Sequence, residues 1–211
     1  MRFEELLTLV GEEPVFSSSL LDVVDVSPRQ ARLQLVRWVN AGKLIQLRRG
    51  LYAINQPFRK IEPHPFLLAN RIRKASYVSM QSALSHYSMI PEYVPVVTSV
   101  TTGRPEEVQT GLGTYAFRHV RKPLFGGFLS VRVAPGQSAF LATPEKALLD
   151  LIYLAPGGDE EAYIDELRLQ NETAMTAQAL TDTAKLFDSP KIYRAVARIM
   201  ARMSSEKEQN L

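Results

Sequence analysis

Ser27-Pro28-Arg29-Gln30 constrains this chain more than any other four residues. Serine at the N-cap, proline at the first helical position and glutamine at N3 form a capping box, in which Ser27 and Gln30 each satisfy the other's orphan amide. The signature starts a helix that runs to about Ala41, with Gly42 as its left-handed terminator. At 100° per residue, Ala31, Leu35, Trp38 and Val39 gather on one side. Arg29, Gln30, Leu33, Gln34, Arg37 and Asn40 occupy the other. One face is apolar and the other is long, polar and cationic.

The helix leads directly into a hairpin. Over Gly42–Ile54, "GKLIQLRRGLYAI", Ile45 and Leu47 alternate with Leu44 and Gln46, and Tyr52 and Ile54 share a face of the return strand. Gly50 suits the positive φ of a tight tip, whereas Arg48 and Arg49 are unusual turn residues and call for a reason. Upstream, "FEELLTLV" (3–10) has helical apolar spacing, and Ser17 to Ser19 cap a short helix of roughly 18–24, with Asp25-Val26 as a turn. Helix, helix, capped basic helix and hairpin is the order of a winged helix-turn-helix, expected over residues 1–56.

Charge sharpens that expectation. The net charge is only +3, but residues 1–27 carry −5, residues 28–60 carry +8 with no acid, and residues 61–211 cancel. A 33-residue window of one sign suits a polyanion. In a helix-turn-helix the second helix enters the major groove with its N-terminal residues nearest the bases. Arg29, Gln30, Gln34 and Arg37 are the expected base readers, since arginine can bridge guanine and glutamine adenine. Ser18, Ser27, Lys43, Arg48 and Arg49 complete the expected double-stranded DNA contact, the wing arginines gripping phosphate. The acidic residues 1–27 are expected to face away from it.

"NQPFRKIEPHP" (55–65), with three prolines, reads as a linker into a second region, 57–211, of mixed α+β type. Helices are expected at 64–74 and 80–88, then strands at 94–102, 114–120, 127–134 and 138–142. Thr143-Pro144-Glu145 opens a further helix, and helices at 159–169, 174–187 and 190–203 form a terminal cluster before a frayed tail. In the last helix Lys191, Arg194, Arg198 and Arg202 make a stripe without an acid on the same helix, a candidate second basic surface. Arg118, Arg121 and Lys122 form a smaller basic group near a strand end.

Three segments together resemble the AbiEi-like antitoxins of type IV toxin–antitoxin, abortive phage-infection systems: "AGKLIQLRRGLYAI", "YVSMQSALSHYSMIPE" and "ATPEKALLDLIYL". The likeness extends from the first helix through residue 154. It implies an N-terminal domain that represses its own operon at inverted repeats in the promoter. It further implies a C-terminal domain that contributes to repression and neutralises a nucleotidyltransferase toxin, opposing its effect without requiring a stable complex. A cytoplasmic protein without cofactor, metal or membrane segment is the corresponding expectation. Cysteine is absent, no apolar run approaches the roughly 18 residues of a membrane span, and the acidic N-terminus is unlike a secretory signal.

Two other classes compete with a repressor. The first is a metal-dependent nuclease or nucleotide-processing enzyme targeted by the winged module, with Glu145, Lys146 and Asp150 as its carboxylate–lysine set. Glu145 and Asp150 lie five apart, about 140° round a helix, which works against shared ligation. His64, His86 and His119 lack ligand spacing, and "SALSHY" lacks a nucleophile elbow. The second competitor is an interaction module whose basic last helix binds RNA or an acidic protein. The expectation is therefore no catalytic set.

Overall fold

The computed structural model describes residues 1–23, 27–171 and 174–209, with residues 205–209 described by backbone alone. The chain is mixed α+β, with eight α-helices and nine strands among the described residues. The expected Asp25-Val26 turn lies outside them.

Helix α1 (Phe3–Val10) buries Phe3, Leu6 and Val10, the positions its apolar spacing marks. The short segment after β1 (Phe16–Ser17) is a 3-10 helix, Ser18–Val23, in place of the expected α-helix. Its start is pinned on both sides, the Ser18 amide donating to Gly50 O (2.9 Å) and the Ser19 amide to Ser17 Oγ (3.3 Å). Helix α2 (Pro28–Asn40) starts at Ser27 and buries Leu35 and Trp38. Strands β2 (Leu44–Arg48) and β3 (Leu51–Ile54) form the expected hairpin, and β1 joins it in the antiparallel order β1-β3-β2.

The period of two along the hairpin decides which core each residue enters. Leu44, Tyr52 and Ile54 pack with Phe3, Leu6, Leu35 and Trp38 in a small N-terminal core. Leu47 and Ala53, on the opposite face, join Val15 in the large core of the rest of the chain, with Leu68, Ile72 and Tyr77. The hairpin is thus covered on both sides, and the two regions share apolar surface. The proline-rich connection is anchored too, because Gln137 Nε2 donates to Glu62 O (2.9 Å) and its Oε1 accepts from the His64 amide (2.8 Å).

The larger region is built on a six-stranded mixed sheet in the order β6-β7-β5-β4-β9-β8. Its strands are β4 (Ser76–Val78), β5 (Val96–Thr101), β6 (Glu106–Thr110), β7 (Gly113–His119), β8 (Phe128–Ala134) and β9 (Gln137–Ala142). Two of these, β4 and β6, have no counterpart in the expected elements. Three residues give β4 too short a period to read, and the polar "EEVQT" of β6 looks like a loop until β7 pairs with it. Helices α3 (Pro65–Ile72) and α4 (Met80–His86) lie where expected. Helix α5 (Pro144–Leu154) begins at Thr143, whose Oγ1 accepts from the Lys146 amide at 3.3 Å. Helices α6 (Glu161–Glu166), α7 (Ala177–Phe187) and α8 (Pro190–Gln209) complete the cluster, α8 continuing past the expected end at 203. Among the described residues no helix is long and apolar enough to cross a membrane.

Candidate nucleic-acid interface

Helix α2 presents Arg29, Arg32, Leu33, Val36, Arg37 and Asn40 to solvent. Leu33 and Val36 are each 49% exposed, large for aliphatic side chains on a short helix. Arg29, Arg32, Arg37 and, at the hairpin tip, Arg49 make no ion pair or hydrogen bond to any described residue. A groove of about 570 Å³ runs between this helix and the tip, lined by Ser18, Asp22, Arg32, Val36, Gln46 and Arg49 among others. Its floor is held by the Ser18–Gly50 hydrogen bond, and Gly50 sits at φ +79° with the Ser18 hydroxyl only 3.3 Å from where a Cβ would stand. The positive φ favours glycine there, and any Cβ would make the Ser18 hydroxyl give way.

The expected site residues divide when placed in space. Arg29, Arg37 and Arg49 are exposed and unpaired, as their sequence positions imply. Ser27 and Gln30 are committed to the cap: Ser27 Oγ accepts from the Gln30 amide, and Gln30 Oε1 accepts from the Ser27 amide, each at 3.3 Å. While the box is closed the Gln30 acceptor is occupied. Gln34 is half-buried and its Nε2 donates to Met1 O at 3.2 Å, so it belongs to the α1–α2 seam, not the open face. Lys43 stands over the Phe3 ring, 4.7 Å from its centroid, and 5.9 Å from that of Phe58. Ser18 contributes its amide to the tip and its hydroxyl to the groove.

Arg48 differs most from its expected role. Its Nη1 donates to the carbonyl of Ile72, the last residue of α3. A helix leaves its final carbonyls unpartnered, and a guanidinium satisfies one well. The tip therefore holds one arginine turned inward to the larger region and one, Arg49, turned outward. Asp22 is a second departure: it lines the groove beside Arg32 and Arg49, although the acidic N-terminal stretch is expected from sequence to face elsewhere.

Each cation of the second basic surface expected on α8 has a partner within the chain, a carboxylate for Arg194 and Arg202 and a backbone carbonyl for Lys191 and Arg198. Lys191 Nζ donates to Tyr153 O (3.2 Å) and to Ala155 O, both at the end of α5. Arg194 pairs with Asp159 at 2.8 Å, Arg198 donates to the Asp159 carbonyl, and Arg202 pairs with Asp165. The hydrogen bond from Arg194 holds the Asp159 carboxyl below its ordinary range. Over residues 190–203 the helix itself carries no acid, but the preceding loop and α6 bring carboxylates from more than 30 positions upstream.

The larger region hides a polar cluster that sequence spacing alone did not assemble. Tyr77, Ser79, Lys146 and Asp150 are all fully buried. Asp150 Oδ2 accepts from Ser79 Oγ (2.8 Å) and Tyr77 OH (3.0 Å), while Lys146 Nζ donates to Tyr77 OH (2.8 Å) and to Asp150 Oδ1. Burial pushes Asp150 and Tyr77 up and Lys146 down, partly offset for the ion pair by mutual attraction. Gly127 lies against the Lys146 stem, where a Cβ would stand 3.0 Å from Cγ. Glu145 is outside the cluster, so the carboxylate–lysine set considered for a nuclease does not come together. Sealed from solvent, the quartet braces β4 against α5. The available clue was Lys146 and Asp150 at i, i+4 within an otherwise apolar helix. Among the described residues no group of three metal-ligating side chains converges.

No protein-family model matches the chain, and no curated protein matches it.

Proposed function

We propose that this protein is a DNA-binding transcriptional repressor whose first 56 residues act as a winged helix-turn-helix. The observation that carries the proposal is the row of unpartnered arginines, Arg29, Arg32 and Arg37, on the open face of a capped helix beside Arg49. On α8, by contrast, Arg194 and Arg202 are matched with carboxylates. A helix that leaves three cations and two aliphatic side chains uncovered fits the major groove. Arg29 and Arg37 then read bases, each bidentate guanine contact contributing about 1–3 kcal/mol of discrimination. Leu33 and Val36 offer apolar contact to thymine methyl groups. Arg49 and Arg32 grip phosphate from the two walls of the groove. Ser27 and Gln30 act by fixing the helix start, and Gln34 by fixing the helix to α1.

The larger region is proposed, on the resemblance of its "YVSMQSALSHYSMIPE" and "ATPEKALLDLIYL" segments to AbiEi-like antitoxins, to oppose a nucleotidyltransferase toxin in phage defence. The setting is a cytoplasmic toxin–antitoxin operon that the protein represses through promoter inverted repeats, without catalysis or cofactor. Footprinting of the DNA upstream of its own gene tests the repressor proposal. Protection of paired repeats in the presence of EDTA is expected, and magnesium-dependent cleavage in place of protection would overturn it. Co-expression with the product of the adjacent gene tests the antitoxin proposal, which fails if growth arrest is not relieved.

A further inference from the structure

The six-stranded sheet has two free edges, built to different rules. β6 begins after Pro105 with Glu106 and Glu107 on its exposed edge, the proline and charges that discourage a further strand. β8 pairs only with β9 and has neither device: over Phe128–Ala134 it carries no proline, no acid and the single charge of Arg132. Its pairing is regular from Phe128 to Arg132, with a shift only between Arg132 and Ala134. Leu129 is 62% exposed on one face of this edge, and Phe140, which pairs with Ser130 on the other face, is 49% exposed.

A cleft of about 460 Å³ lies at the foot of that edge, floored by Phe125, Phe128 and Phe140 and rimmed by Arg71 and Lys74. The floor is firm. Phe128 is in ring contact with Phe125 (5.4 Å) and Phe140 (5.6 Å), and the Phe140 amide donates to Asn70 Oδ1 at 2.6 Å. Strand alternation puts Ser130 and Arg132 on the same face of β8 as Phe128. The surface is therefore an unpaired backbone edge beside an aromatic cleft with cations at its rim. Residues 63–91 and 108–144, which build all of it, contain no Asp or Glu.

We propose that β8 is a docking strand for an extended, acidic–aliphatic segment of a partner protein. The segment adds to the sheet through main-chain hydrogen bonds and covers Leu129. On the cleft face it sets an apolar side chain on the phenylalanines and its carboxylates against Arg71, Lys74 and Arg132. Charge selects this occupant. A second copy of the chain pairing through the same edge would set Arg71, Lys74 and Arg132 against themselves, with no carboxylate in either acid-free window to compensate. A nucleic acid would answer the cations but leave the strand edge unbonded and Leu129 uncovered. The surface is separate from the α2 groove, so it stands whether or not the protein binds DNA.

The test uses the full chain and a fluorescein-labelled octapeptide with valine at every second position and, between the valines, glutamates around one central leucine, so that the leucine and the carboxylates share the cleft face. Binding is read by anisotropy and by amide hydrogen exchange. Saturable binding is expected, with slowed exchange across residues 128–134, and no binding of the matching lysine–valine peptide. Arg71→Glu with Lys74→Glu, both exposed and unpaired, is expected to weaken binding by about tenfold or more while leaving the circular dichroism unchanged. Absence of binding, binding without protection of β8, or equal binding of the lysine peptide overturns the proposal. So does a dimer in sedimentation equilibrium that Leu129→Lys abolishes, which makes the occupant a second copy. Displacement of the peptide by an unrelated DNA duplex likewise overturns it in favour of nucleic acid.

Discussion

Replacing Lys146 by Met removes one member of a sealed ion pair and leaves the other in place. Lys146 and Asp150 are both 0% exposed, so solvent screening does not soften the loss. Asp150 then keeps only the hydroxyl donors of Ser79 and Tyr77, and Tyr77 loses the ammonium that donates to its oxygen. Breaking a buried pair from one side costs about 3–5 kcal/mol. A domain of this size has roughly 5–15 kcal/mol in total, and each kcal/mol moves its midpoint by about 2–4 °C, so a drop of roughly 6–20 °C is expected by calorimetry. The double variant Lys146→Met/Asp150→Asn, with no charge left inside, is expected to recover roughly half of the loss.

The pH dependence carries a definite sign. A carboxyl whose folded pKa is raised above its unfolded value stabilises the fold most below that unfolded value, and the contribution is lost as pH rises through the folded one. Burial already raises Asp150, and removal of Lys146 withdraws the attraction that opposed it. The deficit of Lys146→Met is therefore larger at pH 8 than at pH 5. A single variant within about 1 kcal/mol of the parent, or a deficit that grows on acidification, would refute the buried-pair argument.

Other perturbations separate roles that the sequence groups together. Arg49→Ala is expected to flatten the slope of log affinity for DNA against log salt by about 1, whereas Arg48→Ala leaves that slope unchanged and loosens the hairpin from α3, seen as faster amide exchange in β2 and β3. Ser27→Ala removes the cap of α2 at a cost of about 1 kcal/mol by denaturant titration, and weakens DNA binding across all sequences without altering preference. Arg37→Ala alters the preferred sequence in a selection experiment, and a uniform loss would make it a backbone contact. Burial lowers His64 and His86, and the charge of His86 further lowers His64. Their neutral forms favour the fold, so their contribution is complete above the ordinary histidine range and is lost as pH falls below it; substitution of both by Gln should reduce the decline in stability between pH 7 and pH 5.

Local signals were the legible part of this fold. The Ser27 and Thr143 caps, the apolar stripe of α1 and the alternation of the hairpin each depend on residues a few positions apart, and each element stands where those signals place it. Pairings over long separations were not legible. Strand β6 is polar and becomes a strand through β7, and β4 is defined by β5 and β9 on either side. The same distinction runs through the candidate interface. Exposure of Arg29 and Arg37 follows from helical phase alone. The inward turn of Arg48 depends on Ile72, and the withdrawal of Gln34 on Met1. Pairing of Arg194 and Arg202 on α8 depends on Asp159 and Asp165, which no inspection of α8 would reveal. Arg32 counts in sequence only as part of the acid-free window, and becomes a groove residue once the hairpin tip folds across from it.

The most direct test of the repressor proposal is the salt dependence of binding to the DNA upstream of the gene, measured with EDTA present. Arg29, Arg32, Arg37 and Arg49 have no partner among the described residues, and with Arg32 and Arg49 on phosphate a slope of about −2 or steeper is expected. Arg32→Ala with Arg49→Ala should remove about 2 from its magnitude, while Arg194→Ala with Arg198→Ala leaves it unchanged. A slope near zero, or one that responds to the α8 variants and not to Arg32 and Arg49, would contradict the proposed α2 interface.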